Sequence, residues 1–193
     1  MRNEAQWRLS DKLHAFLKEH VYASKYADWE MKEIRDKARQ ATHGDLEFIR
    51  GKQAAYVDEK AYSSVWDGCL VEVIQDVETK DLGWLFTLDS CTHLICGYYA
   101  TKDGAEPKWV YKIEWKAVKD TYLYLCEKDS LPHRVTNRGY GKTIFAVVPW
   151  RTLAGHMELL WPPDRRLCSC GAVALEGGTE CKDCHGANSV WDK

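Results

Sequence analysis

The chain has 193 residues, 45% of them hydrophobic, with nine Trp, ten Tyr and a formal net charge of -2. That is enough for one main domain with a small appendage and a substantial core. It excludes a membrane-spanning run of about 18 apolar residues and a globally basic surface, so a nucleic-acid partner would have to be held by a local patch.

The N-terminus, MRNEAQWRLSDK, is polar and lacks a signal-peptide core, which predicts an intracellular, cytoplasmic protein. Ser10 is a candidate N-cap, and Leu13, Phe16, Leu17 and Val21 recur at helical spacing to about Tyr26. Asp28 is a candidate cap for a second helix over 29–42, carrying Ile34, Ala38 and Ala41 inward and Lys32, Arg35, Lys37 and Arg39 outward. Gly44 reads as the stop. Leu46–Arg50 and 54–58 read as strands joined by a turn at Gly51-Lys52. Residues 69–77, 83–88, 92–99 and 109–113 read as further strands. Trp115, Val118, Tyr122 and Leu125 mark an amphipathic helix, with Lys112, Lys116 and Lys119 as a basic flank. Residues 131–142 read as a loop containing Arg134 and Arg138, and 143–148 as an apolar strand. Gly139-Tyr-Gly-Lys-Thr143 lacks the first glycine of a phosphate loop and precedes a strand, so an NTPase is rejected.

Alternation within the 54–58 strand places Tyr56, Asp58 and Lys60 on one side and Glu59 on the other. Asp45, at the mouth of the preceding strand, can approach Asp58 across the hairpin. Two adjacent carboxylates repel unless a cation sits between them. Mg²⁺, which takes oxygen ligands and keeps several waters, suits that position.

An acidic residue, a spacer, and Asp/Glu-x-Lys on an apolar strand together resemble the catalytic hairpin of the PD-(D/E)xK nuclease superfamily. Here they are Asp45 and Asp58-Glu59-Lys60, with Gly44 in place of the family's proline. The resemblance covers about residues 28–150. It implies an α/β (α+β) restriction-endonuclease-like core in the order αβββαβ, after an N-terminal helical segment at about 10–42. It implies Mg²⁺ or Mn²⁺ on Asp45, Asp58 and the Glu59 carbonyl, Lys60 assisting water attack, and phosphodiester hydrolysis of nucleic acid, DNA before RNA. A glutamate from the preceding helix, Glu30 or Glu33, sometimes joins such a site. Lys112, Lys116, Lys119, Arg134 and Arg138 would hold the backbone. The alternative is a non-catalytic scaffold of the same fold that grips a protein or nucleic acid.

Eight cysteines remain. Cys69, Cys91, Cys96 and Cys126 sit in apolar settings and read as buried hydrophobes. Trp161-Pro162-Pro163 separates a main domain, 1–161, from a tail, 162–193. There Cys168-Ser-Cys170 and Cys181-Lys-Asp-Cys184 form two knuckles among glycines, the spacing of a minimal zinc ribbon with four thiolates on one structural Zn²⁺. The ribbon could serve a protein partner, nucleic acid or stability alone.

Overall fold

Ten strands form two sheets in the computed structural model, which describes residues 4–63, 67–101, 103–131, 133–138 and 141–168. The first sheet has the order β1-β2-β3-β6-β7-β10: β1 Glu30–Glu33, β2 Leu46–Arg50, β3 Gln53–Tyr62, β6 His93–Tyr98, β7 Trp109–Glu114 and β10 Met157–Trp161. All its pairings are antiparallel except β3 with β6, which run parallel with Val57 beside His93. The second sheet is antiparallel, in the order β5-β4-β9-β8: β5 Asp81–Leu82, β4 Gly68–Asp76, β9 Gly141–Pro149 and β8 His133–Arg138. The chain is thus a mixed α/β protein. No helix among the described residues is long and apolar enough to cross a membrane.

Alternation along β3 builds the layers. Val57 and Ala61 face α1 (Glu4–Leu17), where Leu9, Leu13, Phe16 and Leu17 join Phe48, Ile95 and Leu160 in one core cluster. Asp58, Lys60 and Tyr62 face the other way. On that side Val71, Leu94, Tyr98, Ile113 and Val148 form a second cluster with Trp115 and Val118 of α5 (Trp115–Glu127) and Leu153 of α6 (Trp150–Leu153). The β2–β3 loop has two residues, with φ +61° at Gly51, a turn that matches strand twist.

Several elements differ from the sequence expectation. The first helix starts at Glu4, so Ser10 lies inside it. After Leu17 the helix widens into a π-helical segment, Lys18–Tyr22, and ends in α2, Ala23–Lys25. The second helix, α3, is only Lys37–His43, capped by Asp36 through Arg39 N–H at 2.7 Å. Asp28 instead pairs with Arg50 at 2.8 Å. Glu30–Glu33 is an edge strand on β2, and its charged composition hid it, since charge on an edge blocks unwanted pairing. Lys32 and Arg35 therefore stand outside the helix that was to carry them. Residues 83–88 are helical over Trp84–Thr87 (α4), a short, mostly apolar run that periodicity cannot assign. Residues 131–142 are not a loop: they contain β8 and the start of β9. Lys112 lies on β7 opposite Glu158, so it shares no helical face with Lys116 and Lys119. The strands read at 69–77 and 143–148 pair with each other in the second sheet.

Candidate active site

Asp45, Asp58 and Lys60 come together beside the β2–β3 hairpin. The approach starts at Gly44, where α3 ends with φ +96° and its backbone lies against Val57 and Asp58. Asp45 N–H then donates to Val57 O at 2.8 Å, and Asp45 Oδ2 accepts from Glu59 N–H at 2.9 Å. Gln40 Nε2 donates to Oδ1 at 2.7 Å. Both oxygens are thus aimed by the fold, and a carboxylate keeps further lone pairs for a cation.

Asp58 is 4% exposed. Its Oδ2 meets the Lys60 ammonium as an ion pair and accepts no hydrogen bond from any other group. Burial raises the Asp58 pKa to about 7; Lys60 pulls it down, and Asp45 adds to the rise. Burial draws the Lys60 pKa down, but Asp58 and Asp45 outweigh it and hold the ammonium above the ordinary lysine range. Lys60 Nζ also lies 5.1 Å from the Trp84 ring centroid, a cation–π contact that covers the ammonium from above.

Glu59 turns to the opposite face, as alternation requires. Its carboxylate accepts from Tyr22 Oη at 2.6 Å and lies 2.9 Å from His14 Nδ1. The hydrogen bond that His14 donates to Glu59 raises the His14 pKa, against burial. Glu59 therefore ties the strand to α1 and the π-helical segment through its side chain, and to Asp45 through its N–H. Only its carbonyl is left to face a cation. Glu33 joins His14 and Lys18, both at 3.6 Å, on the α1 face, and Glu30 pairs with Lys32 on β1, so neither accompanies Asp58.

The expected backbone-holding lysines are spread out and paired: Lys112 with Glu158 at 2.6 Å, Lys119 with Asp89 at 3.0 Å, and Lys116 with Asp120. Arg134 lies exposed on β8; Arg138 ends that strand, and its side chain lies outside the described residues. Two surface cavities of about 290 and 360 Å³ lie elsewhere, one by Glu114 and His156, the other by Tyr22 and Trp29. Cys168 is buried, as are Cys69, Cys91 and Cys96; Cys170, Cys181 and Cys184 lie outside the described residues. Among the described residues no three His, Cys, Asp or Glu side chains gather as a metal-holding group.

Sequence reasoning missed Gln40, Trp84, Tyr22 and His14. Gln40 had one available signal, its place on the helix just before Asp45; the others arrive through tertiary packing. Comparison of the chain with family models, curated proteins and solved structures finds no match.

Proposed function

We propose that the protein is a Mg²⁺- or Mn²⁺-dependent nuclease whose site is Asp45, Asp58 and Lys60. The observation that carries this reading is an acidic pair, half-buried Asp45 beside buried Asp58, whose pKa is raised to about 7, joined to Lys60 on the same strand as Asp58. An acidic pair held together against its own repulsion suits a divalent cation. Two carboxylates and the Glu59 carbonyl would hold the ion with several waters retained. The bound cation would supply charge neutralisation at a phosphate. Lys60, held as an ammonium, suits a donor to a phosphate oxygen or a water better than a base. In the tail, Cys168, Cys170, Cys181 and Cys184 would hold one structural Zn²⁺.

The test is cleavage of plasmid and oligonucleotides with Mg²⁺ or Mn²⁺ by wild type, Asp58→Ala and Lys60→Ala. Loss of cutting in both variants supports the reading; equal cutting by all three removes these residues from catalysis.

One observation favours the scaffold alternative: Asp58 and Lys60 face the space between the sheets, and neither cavity borders them. Calorimetry separates the readings. Mg²⁺ or Mn²⁺ binding that disappears in Asp45→Ala supports the enzyme, and absence of such binding supports the scaffold.

A further inference from the structure

A row of apolar side chains crosses the second sheet and runs off its edge. Register places Leu82, Ile74, Ile144 and Val135 side by side on β5, β4, β9 and β8. Ile74 and Ile144 pack against the core cluster between the sheets. Val135 ends the row and is 59% exposed, the most exposed large apolar side chain among the described residues. Strand β9 is bound to β4 on its other side, so β8 is the margin of a four-stranded sheet. Its start is fixed to α5, where Tyr122 Oη lies 2.7 Å from His133 Nε2.

The backbone of this margin is open as well. Lys142 O accepts from Val77 N–H at 2.9 Å, so the Lys142 backbone is turned toward β4. Alternation then turns Thr143 and Phe145 toward Thr136 and Arg134, and it leaves the N–H and C=O groups of His133, Val135 and Asn137 on the outer side. Among the described residues no backbone group pairs with them. The other three edges carry devices that discourage pairing. Strand β5 has two residues, β1 has four that include Glu30, Lys32 and Glu33, and β10 has a register shift between Leu159 and Trp161. Strand β8 runs six residues against β9 with no register shift.

We propose that β8 is a dimer edge, on which a second copy of the chain lays its own β8 antiparallel across a two-fold axis at Val135. Four strands from each copy then form one sheet. Such an interface is self-complementary, because each copy offers the same open row and the same exposed valine. The apolar row becomes continuous from one copy to the other, with Val135 against Val135. In this register Arg134, on the face opposite Val135, stands across from Thr136. A shift of two residues sets Arg134 across from itself, and like charges directly opposite destabilise a strand pair. The opposite shift sets Val135 across from Asn137 and breaks the row. The dimer edge is independent of the Asp45, Asp58 and Lys60 site.

Sedimentation velocity across a concentration series tests this pairing. The mass of wild type should rise from 22.3 kDa toward twice that value. Val135→Asp sets two carboxylates face to face at the axis, and Val135→Pro removes an outward N–H while the bonds to β9 stay. Each should weaken the dimer on the order of tenfold or more. Val135→Ile should keep it. Melting curves of Val135→Asp close to that of wild type separate dissociation from misfolding. Hydrogen exchange followed by NMR reads the edge itself: the Val135 and Asn137 amides should gain protection in the dimer, while those of Arg134 and Thr136, already bonded to β9, should not change. A wild type that stays monomeric at every concentration overturns the proposal. So does a dimer that survives both Val135→Asp and Val135→Pro, or one in which the Val135 and Asn137 amides exchange as fast as in the monomer. Asp58→Ala should leave the dimer intact, so failure of the catalytic reading and failure of the dimer edge are distinguishable.

Discussion

At the scale of the residue, Asp58 couples the candidate site to pH. An Asp in an unfolded chain titrates near 4, whereas burial holds Asp58 at about 7. Between those values the folded chain keeps a proton that the unfolded chain has released, so stability falls as pH rises through that window. The full loss is on the order of a few kcal/mol, at about 1.4 kcal/mol per pH unit. His14, whose pKa is raised by Glu59, acts in the same direction: its contribution is complete below about 6.5 and is lost as pH rises through the folded value. Asp58→Asn removes the first titration and leaves the second. Its melting temperature should fall less than that of wild type between about pH 5 and about pH 8, and calorimetric scans at both values measure this; parallel falls would place the titration elsewhere. Gly44 is a separate residue-scale test. With φ +96°, a Cβ there would lie 2.7 Å from Val57 O and 2.9 Å from Asp58 Cβ. Gly44→Ala should cost about 2 kcal/mol or more, read as a lower urea midpoint, and should displace Asp58 enough to weaken any Mg²⁺ binding.

At the scale of the element, α1 is the support on which the site strand rests. Leu13 is fully buried, and a Cβ added to Gly97 of β6 would meet its Cδ1 at 2.3 Å, so the helix lies directly in the notch that this glycine leaves. Leu13→Ala should cost about 3 kcal/mol, within the usual range of about 2–5 kcal/mol for such truncations. For a chain of this size that is a melting temperature lower by roughly 6–12 °C, read by circular dichroism; a change within about 1 °C would mean that the notch collapses around the alanine. The sequence already disclosed the β2–β3 hairpin, because Gly51-Lys52 marks the turn and buried Leu46, Phe48 and Val57 alternate around it. Asp45, Asp58 and Lys60 followed from that hairpin. Strand β1 was hidden by its charges, and α4 by an apolar run too short to show a period. Trp84 reaches Lys60, and Tyr22 and His14 reach Glu59 on the opposite face, from separate elements, and nothing local to Asp58 names them.

At the scale of the whole molecule, the second core cluster draws residues from both sheets and from α5 and α6, so residues 4–161 should unfold in one cooperative transition. Beyond Trp161, Leu167 still packs against that cluster and Cys168 is buried. The four tail cysteines should carry one Zn²⁺ per chain, visible as a mass increment in native mass spectrometry. Cys181→Ser should release it while the main transition persists. Loss of that transition would instead make the tail part of the main core.

The parallel pairing of β3 with β6 also dictates a schedule for synthesis. Val57 must wait for His93, and β4, β5 and α4 are made in between. At about 5–20 residues per second, the site strand emerges from the ribosome several seconds before its neighbour, with one row of backbone donors and acceptors still open. Asp58 and Lys60 lie on that waiting strand. Their charges, costly once buried, keep its open edge from joining a neighbouring nascent chain before β6 arrives.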